Sequence, residues 1–202
     1  MRGTWLLTLA IVVFGVHAAA AQELRPGVFG TIGIGNAHRA EDRSFGTGLN
    51  AGGGAGIEWR RLGFDAELHR TTGLDPQHAV CGVVNVPCTG AAREGFLSAT
   101  MLTGNVSYFF GSSRVRPYAT GSVGVLWTDS VASLTVVTPV AATVSEISRT
   151  DTGLALGAGF GADVPVSRAL SLRPEVRLYS SVAMSRVNLG IVRAVVGVRY
   201  HW

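Results

Sequence analysis

The chain has 202 residues, and all 17 of its basic residues are arginine, which against 13 acidic residues gives a net charge of +4. Hydrophobic residues make up 47% of the chain, charged residues make up 15%, and 27 residues are glycine. Average proteins have about 25% charged residues and about 7% glycine. The composition excludes a disordered chain, which needs high charge and low hydrophobicity. The arginines are scattered singly among acids, which argues against a nucleic-acid partner, and the length fits one domain.

The first 21 residues have the features of a secretory signal peptide. Arg2 supplies a positive charge, residues 5–16 form an apolar run, and residues 19–21 are three alanines of the size that a signal peptidase accepts. Cleavage after Ala21 leaves residues 22–202 as the mature domain. The alternative, an uncleaved membrane anchor, needs about 20 apolar residues, and this run is shorter.

Two cysteines, Cys81 and Cys88, lie seven residues apart in a stretch that contains glycine, proline and asparagine. In an exported protein this pattern predicts a disulfide that closes a short loop. His78 lies nearby, so a metal site is the alternative, but two cysteines and one histidine lack a fourth ligand. We therefore predict no metal site and no cofactor.

Apolar and polar residues alternate with a period of two in eight segments of the mature chain. In the last segment, Ala194, Val196 and Val198 share one parity, whereas Arg193 and Arg199 lie on the other. Successive side chains of a strand point to opposite faces, so each segment predicts a strand with one apolar and one polar face. The strands are predicted at residues 27–35, 49–59, 63–70, 95–110, 116–128, 151–164, 169–179 and 191–202.

The connections between these strands alternate between long and short, at about 13, 3, 24, 5, 22, 4 and 11 residues. Short periplasmic turns, long external loops and an even number of antiparallel strands are typical of outer-membrane barrels. This alternation of connection lengths predicts an all-β fold, namely an eight-stranded antiparallel up-and-down transmembrane β-barrel. Both termini are then periplasmic, and the cysteines lie in the second external loop.

In such a barrel the apolar parity faces lipid and the polar parity faces the lumen, because a charge at the bilayer midplane costs roughly 2–4 kcal/mol. Eight strands leave an interior just wide enough for side chains to fill it. We predict a lumen plugged by ion pairs, and interior glycines that leave room for the long arginines. The residues assigned to the lumen are Glu58, Asp65, Glu67, Asp163, Glu175, Arg60, Arg173, Arg177, Arg193 and Arg199, with His69 and His201 beside them.

The signal peptide, the eight strands, the NVSYFF sequence of residues 105–110, the RPY sequence of residues 116–118 and the terminal pattern from Val196 to Trp202 resemble small outer-membrane β-barrel proteins of the OmpA/OmpX type. The resemblance covers residues 22–202 and implies the outer membrane of a Gram-negative-type bacterium, in contact with its lipid and lipopolysaccharide. In that family the alternating last strand and its terminal aromatic residue are read by the barrel-assembly machinery. The resemblance assigns that signal to Val196, Val198, Tyr200 and Trp202, with tryptophan where phenylalanine is usual.

Aromatic residues on the outward parity fall near strand ends, where the interfacial girdles of membrane barrels lie. The predicted girdle residues are Trp59, Tyr108, Phe110, Trp127, Tyr200 and Trp202.

The function predicted is structural or surface-interacting, without catalysis, and an extracellular ligand is assigned to the loops at residues 71–94 and 129–150. The composition of the latter suggests that strands five and six extend beyond the membrane. Their exposed edges either pair with another chain or form a hairpin without a partner. The alternatives are a lipid A-modifying acyl hydrolase or transferase, a narrow porin-like channel and a secreted lipocalin-like barrel. The enzyme needs a serine, a histidine and an acid together, whereas His69 with Glu67 faces the lumen.

Overall fold

The computed structural model describes six stretches of the chain, which contain eight antiparallel strands. The described residues are 24–39, 43–74, 93–111, 114–137, 142–182 and 189–202. The strands are β1 Leu24–Arg39, β2 Arg43–Trp59, β3 Leu62–Leu74, β4 Arg93–Phe109, β5 Arg116–Val137, β6 Ala142–Pro165, β7 Leu170–Val182 and β8 Leu189–His201. The predicted signal peptide lies outside these stretches. A search of them for an apolar helix of membrane-spanning length finds none.

Each strand pairs with its neighbour in sequence, and β8 pairs with β1, so the sheet closes into a barrel. The β1–β8 pairing runs antiparallel from Gly27 opposite His201 to Arg39 opposite Leu189. The start of β1 and the end of β8 therefore lie at one end of the barrel, which we call the terminal end, and the opposite end is the far end. This closed antiparallel arrangement confirms the predicted eight-stranded up-and-down barrel.

All eight predicted strands are present, but several continue further toward the far end than the apolar alternation does. β1 and β2 reduce the predicted 13-residue loop to residues 40–42. β5 and β6 stay paired as far as Val137 opposite Ala142, which leaves residues 138–141 between them. The prediction of long first and third loops was therefore wrong, because backbone pairing continues where the side-chain pattern has ended. Strands five and six are longer than predicted, as the composition of residues 129–150 suggested, and their extension beyond the membrane stays a prediction.

The outer surface of the barrel is apolar over its whole circumference. Ile32, Leu49 and Phe160 are each more than 65% exposed, and every strand contributes at least one large exposed hydrophobic side chain. A soluble domain rarely exposes a contiguous apolar patch of this extent, whereas a closed barrel can present one to hydrocarbon since all of its backbone groups are paired internally. The surface is therefore suited to a lipid environment.

Aromatic side chains are exposed on the outer surface at the terminal end. Trp59, Tyr108, Phe110, Tyr200 and Trp202 are all exposed there, and the Tyr108 and Phe110 rings contact each other edge to face with their centroids 5.1 Å apart. The structure thus places five of the six predicted girdle residues at this end. The sixth, Trp127 on β5, is half-buried and lies nearer the far end.

Candidate functional site

The candidate site is the barrel interior, and strand parity positions its charged side chains. β3 sends Asp65 and Glu67 inward, and the intervening Ala66 faces outward. In the same way, β7 and β8 direct Glu175 and four arginines inward. All eight ion-pair candidates are less than 9% exposed. These residues are Glu58, Asp65, Glu67, Glu175, Arg173, Arg177, Arg193 and Arg199.

Two carboxylates and two guanidinium groups form a quartet at mid-height of the barrel. Nη2 of Arg193 lies 2.7 Å from Oε1 of Glu67 and 3.1 Å from Oε1 of Glu175. Nη1 of Arg177 lies 3.2 Å from Oε2 of Glu67, and its Nη2 lies 2.6 Å from Oε2 of Glu175. Each arginine therefore bridges both carboxylates, so the quartet connects β3 to β7 and β8 across the lumen.

Uncharged polar side chains add hydrogen bonds to the quartet. The Tyr118 hydroxyl donates to Oε2 of Glu175 at 2.9 Å, and Arg177 donates to Oδ1 of Asn105 at 2.8 Å. Hydrogen bonds of this kind are needed if buried charges are to be tolerated at all. The quartet is thus held by β4 and β5 as well as by the strands that carry its charges.

A second layer of ion pairs lies between the quartet and the terminal end. Nη1 of Arg199 lies 3.0 Å from Oδ1 of Asp65 and 3.8 Å from Oε1 of Glu58. Nη2 of Arg116 lies 3.0 Å from Oε2 of Glu58 and also pairs with Asp163. The quartet and this layer together extend from mid-height to the terminal mouth.

Arg173 and Arg116 also lie against aromatic rings inside the barrel. The guanidinium carbon of Arg173 is 4.6 Å from the centroid of the Tyr118 ring, and that of Arg116 is 4.7 Å from the centroid of the Phe109 ring. Contacts of this kind contribute about 0.5–1 kcal/mol at exposed sites and about 2 kcal/mol when they are desolvated. Arg173 has its nearest carboxylate oxygen 3.6 Å away, on Asp65, so the aromatic contact forms a substantial part of its surroundings.

The structure corrects one lumen assignment and adds one. Arg60, predicted to face inward, lies in the exposed two-residue turn between β2 and β3 with a φ of 57°. The strand alternation stops at Trp59, and the turn carries the Arg60 guanidinium to 5.5 Å from the Trp59 ring. Its expected place in the network is taken by Arg116, the first residue of β5. The described interior network therefore keeps five arginines and five acids.

The half of the interior toward the far end is apolar, which differs from the predicted polar lumen. Met101, Leu126 and Ile191 are at most 4% exposed and point inward together with other aliphatic residues. The parity rule missed them because it assigned apolar side chains to the lipid face alone. The apolar interior cluster consists of Ala37, Leu74, Leu97, Ala99, Met101, Leu126, Ala155, Tyr179, Leu189 and Ile191.

His69 lies at the boundary between the quartet and the apolar interior cluster. Its Nδ1 is 3.9 Å from Oε1 of Glu67, and its ring is tilted against the Tyr179 ring with centroids 5.4 Å apart. Within the described residues neither ring nitrogen makes a hydrogen bond. His201, the other predicted lumen histidine, is half-buried at the terminal mouth. His69 is therefore not hydrogen-bonded to a serine among the described residues.

Interior glycines leave space that larger side chains occupy. A β-carbon on Gly157 would lie 2.6 Å from the Tyr179 ring, and one on Gly161 would lie 2.6 Å from the Tyr118 ring. Both distances are shorter than any ordinary carbon–carbon contact. The glycines of β6 thus allow two tyrosines to lie flat across the inner wall, where they contact the arginines.

A small cavity lies among the described interior residues. Its volume is about 20 Å³, and its lining includes Glu67, Asn105, Arg173 and Arg193. A cavity of this size holds roughly one water molecule. It is too small for an organic ligand, for which pockets of about 300 Å³ or more are usual.

The remaining predicted sites lie on the outer surface or outside the described residues. Val196, Val198 and Tyr200 alternate along β8 and Trp202 directly follows the strand, and all four side chains are exposed. Cys81 and Cys88 lie outside the described stretches, as does His78. In the stretches that are described, no three residues among histidine, cysteine, aspartate and glutamate group closely enough to hold a metal ion.

The family model for the outer membrane protein beta-barrel domain matches residues 6–199. The chain belongs to this family. Membership places it in the bacterial outer membrane and confirms the resemblance found in the sequence. A comparison with curated proteins gives no match.

Solved structures with the same fold include Neisserial surface protein A, at a TM-score of 0.59 and 16% identity over 88% of this chain and 96% of that one. A major outer membrane protein of Thermus thermophilus has a TM-score of 0.54 and 14% identity, covering 89% of this chain and 99% of that one. Ail, the attachment invasion locus protein of Yersinia pestis, was solved with the heparin analogue sucrose octasulfate. It has a TM-score of 0.52 and 10% identity, covering 89% and 98% of the two chains. At these identities the likeness is one of fold.

Proposed function

We propose that this outer-membrane barrel is neither a channel nor an enzyme, and that it acts as a structural element which presents its far end at the cell surface. The observation that carries this proposal is the filled interior. Ion pairs occupy the barrel from the terminal mouth to the Glu67 quartet, and the apolar interior cluster continues from there toward the far end. An ion crossing the barrel would have to displace both.

Planar-bilayer recording tests the closed interior. We expect the refolded protein to give no steady conductance, under conditions in which a trimeric porin added to the same bilayer conducts. Steady, large conductance through the protein, present in repeated reconstitutions, would show that the interior opens and would refute the proposal.

The absence of catalysis is a separate part of the proposal, and the position of His69 supports it. This side chain is 1% exposed and lies in the lumen between Glu67 and Tyr179, where an acyl chain in the membrane does not reach it. An assay of lipid A acyl release and transfer should therefore give no product. Activity that disappears in a His69→Ala variant, with folding retained, would establish the enzymatic alternative.

The segment proposed for surface contacts is the paired part of β5 and β6 beyond the barrel wall. β6 pairs with β7 only from Leu154 onward, so residues 142–153 pair with β5 alone among the described residues. A strand with a free edge can accept an extended segment of another protein through main-chain hydrogen bonds. We propose an extracellular protein partner that adds a strand here, with residues 71–94 at the same end as a further contact.

A shortened hairpin tests this contact. Deleting residues 132–147 joins Val131 to Ser148, which are paired across β5 and β6. It removes the β5 partners of Arg93 and Glu94 on β4, and it keeps the β4–β5 pairs from Leu97 opposite Ser130 onward. The heat-modifiable gel mobility should be retained, and binding of extracellular proteins to the bacterial surface should fall. A matched variant that keeps the length but reverses the order of residues 132–147 separates backbone pairing from sequence recognition. Unchanged binding by the deletion variant would refute the role of the hairpin.

The proposed orientation has both termini in the periplasm. Single cysteines placed at Ser148 and at Arg168, in a background with Cys81→Ser and Cys88→Ser, report on the two ends since both positions are exposed. An impermeant maleimide should label Ser148→Cys on intact cells and Arg168→Cys only after the outer membrane is opened. The reverse labelling pattern would show that the orientation is inverted.

We also propose that the assembly machinery recognises β8 and the residue that follows it, through Val196 and Trp202 among others.

A further inference from the structure

The exposed arginines at the terminal end form a ring around the mouth of the barrel. The terminal end has four corners, namely the start of β1 and the β2–β3, β4–β5 and β6–β7 connections. Each corner contributes at least one arginine with an exposed side chain. This arginine rim consists of Arg25, Arg60, Arg61, Arg114 and Arg168.

Among the described residues, no acidic side chain at the terminal end is exposed. The nearest carboxylates, Glu58 and Asp163, are each 2% exposed, and both pair with Arg116 inside the mouth. In the sequence one acid, Glu23, precedes β1 and lies outside the described stretches. The far end has exposed charges of both signs, such as the 2.9 Å pair of Arg149 and Asp151. The positive excess is thus a property of the terminal end.

The arginine rim lies directly beside the aromatic residues that are exposed on the outer surface at the terminal end. Arg60 and Arg61 follow Trp59, whose ring the Arg60 guanidinium approaches to 5.5 Å, and Arg114 lies in the connection that follows Phe110. Exposed aromatic residues on membrane barrels mark the boundary between hydrocarbon and headgroups. Side chains just beyond that boundary are at the depth of the lipid phosphates.

Arginine is well suited to phosphate, since its planar guanidinium can donate two parallel hydrogen bonds to one phosphate group. We propose that the arginine rim binds the phosphates of anionic phospholipids in the leaflet at the terminal end. The proposal that this leaflet is the periplasmic one rests on the proposed orientation. The phosphate contact itself depends only on the rim and on its depth in the membrane.

Native mass spectrometry of the folded full-length protein tests the lipid contact. The protein in detergent is mixed with equal amounts of phosphatidylglycerol and phosphatidylcholine, and the retained lipids are counted. We expect the wild type to retain phosphatidylglycerol preferentially. The variant Arg60→Gln, Arg61→Gln, Arg114→Gln, Arg168→Gln should lose that preference by about tenfold or more, since each arginine near an anionic surface contributes separately to binding.

A matched control carries glutamine at two far-end arginines, Arg70 and Arg149, both of which are exposed. This control should keep the preference of the wild type. Equal loss in both variants, or an unchanged preference in the rim variant, would overturn the proposal. Competition by inorganic phosphate tests whether the rim binds any phosphate or requires the lipid. Displacement of phosphatidylglycerol at equal concentration would overturn the lipid assignment.

If the glutamine variant does not fold, as judged by heat-modifiable mobility, the lipid contact is tested by measuring phosphatidylglycerol retention by the wild type at increasing salt concentrations. Binding through phosphates weakens as ionic strength rises, and retention of phosphatidylglycerol that does not depend on salt would overturn the proposal. The cysteine-labelling experiment is independent of this result. An inverted labelling pattern with lipid binding intact would leave the phosphate site standing and refute the orientation.

Discussion

Replacing Glu67 by glutamine perturbs the centre of the interior network with almost no change of shape. The carboxylate lies 2.7 Å from Arg193 and 3.2 Å from Arg177. These two arginines are direct cross-strand partners on β7 and β8, and like charges in that position repel each other. In Glu67→Gln they would share Glu175 as the remaining carboxylate of the quartet, so a buried positive charge would be left without compensation.

The magnitude follows from these distances. At an effective dielectric constant of about 20, the attraction of Glu67 to the two arginines is about 6 and about 5 kcal/mol. The loss of this attraction is partly offset because a neutral glutamine is less costly to bury than a carboxylate. Removing one partner from a buried ion pair costs about 3–5 kcal/mol in measured cases. We expect Glu67→Gln to lower the free energy of unfolding by an amount in that range.

The double variant Glu67→Gln, Arg193→Met removes one charge of each sign and restores neutrality. We expect its loss of unfolding free energy to be smaller than the sum of the losses in the two single variants by about 0.5–3 kcal/mol, which is the range of coupling between residues in contact. Urea unfolding in lipid vesicles, followed by tryptophan fluorescence and gel mobility, gives the four free energies. A loss below about 1 kcal/mol in Glu67→Gln, or simple additivity of the two substitutions, would refute the network as the basis of interior stability.

The inner wall and the outer face give two further predictions, each measured by the same unfolding assay. Gly157→Ala should cost about 1–3 kcal/mol, because its β-carbon would lie 2.6 Å from the Tyr179 ring, whereas Gly121→Ala, with nothing within 4 Å, should change stability by less than about 0.5 kcal/mol. Equal effects would contradict the packing argument. Val123→Arg, on the lipid-facing wall, should cost roughly 2–4 kcal/mol, and Thr152→Arg nearer the far end about 0–1 kcal/mol. The opposite order would place the membrane elsewhere on the barrel.

Strand parity was sufficient to predict which charged residues of β3, β7 and β8 enter the barrel, because these strands keep an unbroken alternation through their charged residues. Asp65 and Glu67 are separated by one outward alanine, and the same holds along β8 between Arg193 and Val195. Parity could not predict the partners. Glu67 on β3 and Arg193 on β8 lie on strands that are not adjacent, so their contact depends on how the barrel closes and on side-chain conformation.

Parity failed where a strand ends and where the interior is apolar. Arg60 directly follows β2, and its own left-handed conformation breaks the alternation. Arg116 begins β5 and follows the alternation of that strand. Met101 and Ile191 are apolar residues on the inward parity. A rule that sends every apolar side chain to lipid misplaces them, because a narrow barrel also has an interior to fill.

The two kinds of interior packing have different consequences for transport. The described ion pairs are balanced in charge and reach from Arg116 at the terminal mouth to Arg193 at mid-height. Beyond them, the apolar interior cluster packs with neutral polar groups, such as the buried pair of Asn50 and Thr71 at 2.8 Å. An ion entering from the terminal end would find compensating charges for half of the barrel and then lose them at the apolar cluster, where an unpaired charge is costly. The arginines can therefore hold the wall together without forming a continuous polar path between the two ends.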